Sequence, residues 1–577
     1  METQIQEKMK ETTSKTIRTT GSDAIVQSLL KEGVDTIFGY PGGAIMPVYD
    51  ALYNYKDDVN HILVRHEQGA VHAAQGYSQV TGKVGVVIVT SGPAATNAVT
   101  GIADAMMDSN PMVVISGQVA SSLLGTDAFQ ETDVLGVTQP ITKWNYQVRT
   151  AEEIPYAIAR AFYIAKSGRP GPVLIDITKD AQFAEFDYKY EPINFIRSYK
   201  PIPDIDNNQI DEAAKLINLA KKPLILFGQG VIIGGAENEF KEFVEKSGIP
   251  AAWTLLGLSA LPNEHPLNVG MLGMHGNYGP NIKTNEADLI IAIGMRFDDR
   301  VTGDLTKYAI NAKVVHLEID PAEISKIVHA DAPVLGDMKS TLPLLTSKVN
   351  KTDRAEWLAE FRACDKIEYE RIIEKQFYPD KPGITMPEVV NRISKAYNDD
   401  AVVVTDVGQH QMMASRYFRF KNTRSLVTSG GLGTMGFGLP AAIGAAVGAP
   451  DRPVCLFVGD GGLQMTIQEL GTIFQSEVPV KIILLNNNYL GMVRQWQELF
   501  FDKRYAHTEL INPNFQLISK GYGIASSQVN SRDELDKAIE EMVNHKGAYL
   551  LEVMVEKEGN VFPMVPAGAS VSDIRLE

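Results

Sequence analysis

Cysteine is nearly absent from this chain, which has two in 577 residues, Cys364 and Cys455, far apart in sequence. They can build neither a disulfide framework nor a cysteine-ligated metal centre, so a reducing, cytoplasmic setting is the expectation. Basic charge is short too. Against 70 Asp and Glu there are 54 Lys and Arg, a formal net charge of −16, which argues against nucleic acid or an anionic membrane surface as partner. No Gly-x-x-x-x-Gly-Lys-Ser/Thr is present, which excludes a P-loop nucleotide hydrolase. Long apolar runs are also missing. Residues 431–450 come nearest, but glycine, alanine and proline give them little hydrophobic drive, and Asp451-Arg452 follow at once. A tightly packed internal helix is expected there rather than a membrane span. Residues 1–17 are polar, rich in Thr and Lys, and carry Glu2, Glu7 and Glu11. Lacking an apolar core for a secretory signal, and too acidic for a transit peptide, they read as a disordered tail.

What is there describes a globular protein, 44% hydrophobic and 21% charged, with a length that suggests roughly three or four domains. Its most informative stretch begins at Gly459-Asp460-Gly461-Gly462. Cys455-Leu456-Phe457-Val458 before it is a short apolar run behind Pro453, and Lys481-Ile482-Ile483-Leu484-Leu485 is a second one, ending at Asn486-Asn487. Both read as buried strands. Between them Leu463, Ile467, Leu470, Ile473 and Phe474 recur at helical spacing, so the unit is β-α-β. Asp460 and Asn487 then sit at the carboxyl ends of two parallel strands, where open α/β sheets put ligands. A carboxylate and an amide oxygen, with phosphate oxygens and water, suit the near-octahedral shell of Mg²⁺. The glycines would let a diphosphate approach the backbone. A turn acid and a turn asparagine are the plain alternative; the amide pair at the end of the very next strand favours the metal site.

Residues 18–190 alternate strand and helix patterns. Thr36-Ile37-Phe38 runs into Gly39-Tyr40-Pro41-Gly42-Gly43, and Ile62-Leu63-Val64 into Arg65-His66-Glu67-Gln68-Gly69-Ala70, where a helix starts. Residues 84–89 end at Ser91-Gly92-Pro93, with Asn97 just inside the next helix, and residues 112–116 and 173–177 repeat the pattern. This is a parallel, doubly wound domain. Glu67 has two readings. It is either a first-turn glutamate stabilised by the helix dipole, or a carboxyl that burial keeps protonated so that it bonds a ring nitrogen. His66 reads as a structural histidine, and Lys179 as a solvated charge at a strand end.

Residues 191–207 are proline-bearing and polar, a linker. In the second block, 208–347, Pro223-Leu224-Ile225-Leu226-Phe227 ends at Gly228-Gln229-Gly230, and Asp288-Leu289-Ile290-Ile291-Ala292-Ile293 ends at Gly294. A second α/β domain with glycine turns follows from this. Residues 348–383 read as a charged surface connecting helix with Trp357, Leu358 and Phe361 at helical spacing. The last block, 384–577, has a strand at 401–405 followed by Asp406-Val407-Gly408-Gln409-His410, and it holds the opening motif.

The Gly-Asp-Gly and Asn-Asn pair resembles the thiamine diphosphate motif. Phe38-Gly39-Tyr40-Pro41-Gly42-Gly43, Arg65-His66-Glu67-Gln68, the segment from Gly125-Thr126-Asp127-Ala128 to Phe129-Gln130-Glu131, and Ser167-Gly168-Arg169-Pro170-Gly171-Pro172 resemble the catalytic subunits of acetohydroxyacid (acetolactate) synthases. The likeness runs from about residue 18 to Pro563-Met564-Val565-Pro566. Such a resemblance implies an α/β protein of three doubly wound parallel-sheet domains, binding in turn the pyrimidine, FAD and the diphosphate. Thiamine diphosphate would touch Gly43, Glu67, Gln409, His410, Gly433, Met435, Gly459, Asp460, Gly461, Gly462, Asn487, Tyr489, Gly491 and Met492. Asp460, Asn487 and the carbonyl of Tyr489 would hold Mg²⁺, and Glu67, Gln130 and Lys179 would be catalytic.

Arg296-Phe297-Asp298-Asp299-Arg300 and Met271-Leu272-Gly273-Met274-His275-Gly276 resemble the flavin-contacting segments of that family. A structural FAD would be held by Arg169, Gly228, Gly230, Leu272, Gly273, His275, Gly294, Arg296, Asp298, Arg300, Glu318 and Asp337. Phe129, Met271 and Trp496 would shape the substrate pocket. The reaction implied is decarboxylation of pyruvate and ligation of the two-carbon fragment to a second pyruvate, giving 2-acetolactate, or to 2-ketobutyrate, giving 2-aceto-2-hydroxybutyrate. It is the first common step of branched-chain amino acid biosynthesis. A homodimer or homotetramer with active sites across the dimer interface is implied, with a possible small regulatory subunit. The alternatives are a flavin-active relative of the pyruvate oxidase kind and, against intact Glu67, Asp460 and Asn487, a non-catalytic paralogue.

Overall fold

A computed structural model describes residues 17–380 and 382–577. The expected N-terminal tail lies outside the described residues except for Ile17, which opens the strand Ile17–Thr20. The chain divides into two compact units, one made of residues up to 78 and 83–200, the other of 79–82 and 201–577.

The first unit is built on six parallel strands, in spatial order Asn60–Leu63, Thr36–Gly39, Gly85–Val89, Met112–Gln118, Pro172–Thr178 and Trp144–Val148. Gly85–Val89, Met112–Gln118 and Pro172–Thr178 are buried at every residue, as strands covered on both faces must be. Ile17–Thr20 pairs antiparallel with Glu185–Tyr188 apart from this sheet.

The second unit carries two further six-stranded parallel sheets. One runs Asn268–Met271, Ala251–Trp253, Pro223–Phe227, Leu289–Ile293, Lys313–Glu318, Ala332–Leu335. Its side chains alternate between two apolar clusters. Ile225, Phe227, Ile291 and Ile293 pack on one face, and Leu224, Leu226, Ile290 and Ala292 on the other with Trp357 and Phe361. The other sheet runs Leu426–Val427, Val402–Thr405, Val454–Gly459, Val480–Asn486, Tyr549–Met554, Ala525–Val529. Taken along the chain, its strands have the same spatial order as those of the first unit, so both sheets reverse direction between their first and third strands. Such a switch point is where ligands bind.

Several expectations change. The helix expected across residues 463–474 is three pieces, Asp460–Met465, a 3₁₀ turn Ile467–Glu469, and Leu470–Ser476. The break falls at Thr466, whose hydroxyl leaves the helix to bond the Gly436 carbonyl at 3.0 Å, and Phe474 in the last piece is 61% exposed. Asn97 closes the short helix Pro93–Asn97. Lys179 opens the helix Lys179–Phe183 and is not a bare strand end. The connecting helix Ala355–Glu368 is not merely superficial, since Trp357, Phe361 and Glu368 are buried. As expected, the small-residue segment forms a packed internal helix, Gly438–Gly448. Among the described residues no helix is long and apolar enough to cross a membrane.

Candidate active site

The strand Val454–Gly459 delivers Asp460 as the first residue of a helix, buried. Burial pushes its carboxyl up to about 6, against the Asn512 amide and the backbone N–H groups of Gly461 and Asn487 that favour the charged form. One strand over, Val480–Asn486 delivers Asn487, whose Oδ1 accepts the Tyr489 N–H at 3.1 Å. Asn487 Nδ2 and Gln409 Oε1 are buried without a hydrogen-bond partner. Both face Gly491: a Cβ there would strike Gln409 Oε1 and lie 2.9 Å from Asn487 Nδ2, so a larger residue would push these two amides aside. His410 lies against Gly459, Nε2 unpartnered, and burial lowers its imidazole to about 4. Met435 approaches Gly461 and Gly433 takes a left-handed φ of +71°, while Gly462 abuts Asp406 and Met492 packs on the core. Trp496 is half-buried, its ring 5.1 Å from that of Phe500. Among the described residues no three His, Cys, Asp or Glu side chains gather as metal ligands. The oxygen set on offer is therefore one carboxylate with amide and peptide carbonyls, which suits a hard cation that keeps several waters.

Two residues here escaped the sequence reading. Asp406 is buried at the end of Val402–Thr405 and accepts the N–H groups of Val407, Gly436 and Gly438 at 2.7, 3.1 and 2.9 Å. These hold the turn that carries Met435, although burial still raises the acid to about 6. Asn512 donates to Asp460 Oδ2 at 2.7 Å. The acid that follows a strand at Asp406 was a visible signal; nothing near Asn512 in sequence pointed to it.

In the first unit Glu67 opens the helix Glu67–Thr81 and accepts Asn97 Nδ2 at 3.0 Å. It is partly exposed within the chain. The space beside Gly43 is clear, and His66 Nδ1 accepts the Gln68 N–H at 3.2 Å, a structural role. Gln130 and Asp127 hold positive φ of 59° and 57°. Glu131 braces their loop by accepting the Gly125 and Ala128 N–H groups, and Phe129 at its tip is 89% exposed. Arg169 Nε donates to Ser109 at 2.9 Å.

In the central sheet Gly228 and Gly230 meet Gly294 at the switch point. A Cβ on Gly228 would lie 2.5 Å from the Gly294 carbonyl, which accepts the Gly230 N–H at 2.9 Å. Gly273 lies against the Arg300 carbonyl, which takes the Met274 N–H at 2.7 Å, and so joins the 271–276 and 296–300 segments. Met271 and Leu272 are buried. His275 is buried with Nδ1 unpartnered, lowered to about 3 by burial and by the Arg416 and Arg300 charges. Asp298 caps the turn at Arg300 and Val301, and burial raises its carboxyl against the opposing pull of Arg296. Asp337 caps the helix Met338–Lys348, and Glu318 accepts the Ile319 N–H at 2.9 Å. These three acids therefore have backbone partners of their own.

Comparison with known proteins agrees with this layout. Residues 19–137, 210–345 and 406–553 match the thiamine pyrophosphate enzyme N-terminal TPP binding domain, central domain and C-terminal TPP binding domain. The acetolactate synthase large subunit of Corynebacterium glutamicum is 47% identical over 97% of this chain and 90% of its own length. That of Lactococcus lactis is 45% identical over 95% of each chain. The acetolactate synthase isozyme 2 large subunit of Escherichia coli is 45% identical over 96% of this chain and 99% of its own. The chain belongs to the acetolactate synthase large-subunit family. In this family member Asp406, Asp460 and Asn487 fall in the C-terminal TPP binding domain and Glu67 in the N-terminal one.

His275 also gives this synthase-family chain a pH-dependent stability. Its imidazole is neutral in both states above about 6.5, and below that the unfolded chain takes up a proton that the folded chain refuses until about pH 3. Stability is thus fully present above the unfolded value and falls as pH drops. A His275→Gln variant is expected to lose ground at neutral pH, but to regain up to about 3 kcal/mol relative to the parent between pH 7 and pH 4 in unfolding measurements. A pH-independent difference would contradict it.

Proposed function

We propose that the protein is an acetolactate synthase, joining pyruvate with loss of CO₂ to a second pyruvate or to 2-ketobutyrate. The observation that carries this reading is the buried Asp460 carboxylate next to Asn487 at the carboxyl ends of two adjacent parallel strands, with Gly491 against Asn487 and Gln409. Asp460, Asn487 and the Tyr489 carbonyl would hold Mg²⁺ and through it a diphosphate. Bound there, thiamine diphosphate supplies the carbon nucleophile and the electron sink that decarboxylation needs. Glu67 would hydrogen-bond a pyrimidine ring nitrogen of the cofactor. Gln130 and Lys179 receive the substrate carboxylate, and Phe129, Met271 and Trp496 bound the acceptor. The three convergent glycines and the unpartnered His275 Nδ1 fit FAD in the central domain, held there as a structural group with Arg169, Arg296 and Arg300. We assign the working form to two or four copies of the chain, with Glu67 of one copy serving the Asp460 site of another. Since the relatives are named large subunits, a smaller regulatory partner belongs to the proposal, as does a cytoplasmic location.

The test is to incubate the purified protein with Mg²⁺, thiamine diphosphate, FAD and pyruvate without oxygen, with and without 2-ketobutyrate. Acetohydroxy acids should accumulate while the flavin stays oxidised. Bleaching of the flavin without ligated product would mean a pyruvate oxidase-like enzyme instead.

A further inference from the structure

Asn512 lies outside every motif, 52 residues beyond Asp460, yet its side chain is the most heavily shared group in the C-terminal site. Its Nδ2 donates to Asp460 Oδ2 at 2.7 Å, to Asn488 Oδ1 at 3.0 Å and to Asn486 Oδ1 at 3.1 Å. Two protons serve three acceptors, so the amide is shared, with the charge-assisted bond to Asp460 the shortest. The orientation of the amide is fixed from the other side. Gln464 Nε2, itself tied to the Asp460 carbonyl at 3.0 Å, donates to Asn512 Oδ1 at 3.0 Å. Asn486 is likewise fixed, because its own amide nitrogen donates to Glu552 Oε1 at 2.8 Å and so leaves its oxygen facing Asn512.

Backbone pairing puts Asn512 there. Leu490 N–H donates to the Thr508 carbonyl and Leu510 N–H to the Asn488 carbonyl, each at 2.8 Å, with Tyr489 bridged antiparallel to Glu509 between them. The segment 508–512 thus clasps the 486–490 turn along its length, and its last residue reaches the carboxylate at the end of the neighbouring strand. Among the described residues Asn512 is the side chain that donates to the Asp460 carboxylate, and it does so at Oδ2.

We propose that Asn512 is a positioning residue for the metal-diphosphate site. By engaging Oδ2 it fixes the rotation of the Asp460 carboxylate, presents Oδ1 to the cation, and locks the carboxylate in register with the Asn487 and Tyr489 oxygens. The inference rests on the Mg²⁺–thiamine diphosphate reading of this site. Outer partners that orient a ligand typically change metal affinity by about 10–100-fold. Asn512 touches neither metal nor cofactor in this scheme; it acts through Asp460.

The test is thiamine diphosphate binding to the full-length, cofactor-depleted protein, titrated over Mg²⁺ and followed by calorimetry, with thermal unfolding of the same cofactor-free samples. Asn512→Ala should need about tenfold more Mg²⁺ for half-saturation while melting close to the parent. Asn512→Asp keeps the shape but replaces the donor by a second carboxylate facing Asp460, a like-charge pair. If the donated hydrogen bond is what matters, it should bind at least as poorly as Asn512→Ala. Parent-like Mg²⁺ dependence in both variants would overturn the proposal, as would a loss of binding that merely follows a lowered melting temperature. A parent protein that binds no thiamine diphosphate in a Mg²⁺-dependent way would overturn the functional reading itself, a result distinguishable because no variant is involved.

Discussion

A Glu67→Gln variant is expected to form acetohydroxy acid about 10²–10⁴-fold more slowly than the parent, the usual weight of a positioned proton-transfer group. Glutamine has the same shape, and its amide oxygen can still accept Asn97 Nδ2, which lies 3.0 Å from Glu67 in the parent. The helix Glu67–Thr81 loses one favourable first-turn charge, worth about 0.3–1 kcal/mol at most. Folding and cofactor binding should therefore survive. What glutamine cannot do is pass a proton to and from a ring nitrogen, since its amide N–H donates a hydrogen bond but is not given up. The signature is a collapse of kcat with melting temperature and thiamine diphosphate affinity near those of the parent. Full activity in this variant would sink the assignment of Glu67.

The strands were legible because a strand buried on both faces leaves a continuous apolar run, as in Val454–Gly459 and Leu289–Ile293. Trp144–Val148, an edge strand only partly buried, has no such run and was missed. The pairing of Asp460 with Asn487 was legible because both end adjacent strands of one β-α-β unit, so their separation is set locally. Asp406 and Asn512 act on the same site from positions set by strand order and by the 488–490 to 508–510 pairing, which no local spacing encodes. The break at Thr466 was hidden for a similar reason: its hydroxyl prefers a carbonyl 30 residues upstream to its own helix. The two readings of Glu67 could not be separated in sequence, because exposure is decided by what packs above a helix terminus. The resemblance supplied the flavin residues; the structure adds that Asp298 and Asp337 already serve as helix caps, so their substitution would cost local stability whether or not a flavin is bound.

Removing the Glu368 carboxylate is expected to destabilise the unit of residues 201–577 by about 3–5 kcal/mol. Glu368 and Arg416 pair with side chains only 2% and 1% exposed. Glu368 also accepts Asn277 Nδ2 at 2.9 Å and the Tyr278 N–H at 2.6 Å, while Arg416 Nη1 donates to the carbonyls of His275 and Gly276, both at 3.1 Å. The pair thus ties the helices Ala355–Glu368 and Gln409–Tyr417 to the loop that carries His275. Glu368→Ala would leave a buried guanidinium without its counter-charge and a helix N-terminus without an acceptor, both dear in a low-dielectric interior. Glu368→Gln keeps some of the hydrogen bonds but not the charge, so it should fall between parent and alanine. The double change Glu368→Leu with Arg416→Met removes both charges together and should be milder than Glu368→Ala alone, because a buried pair contributes little beyond an apolar one of similar size. Urea unfolding of all four proteins, read at the transition of this unit, decides it. A Glu368→Ala protein within about 1 kcal/mol of the parent would show that water or repacking compensates the guanidinium. On the flavin reading, the same variant should also release FAD more readily than the parent, since the His275 loop loses its anchor.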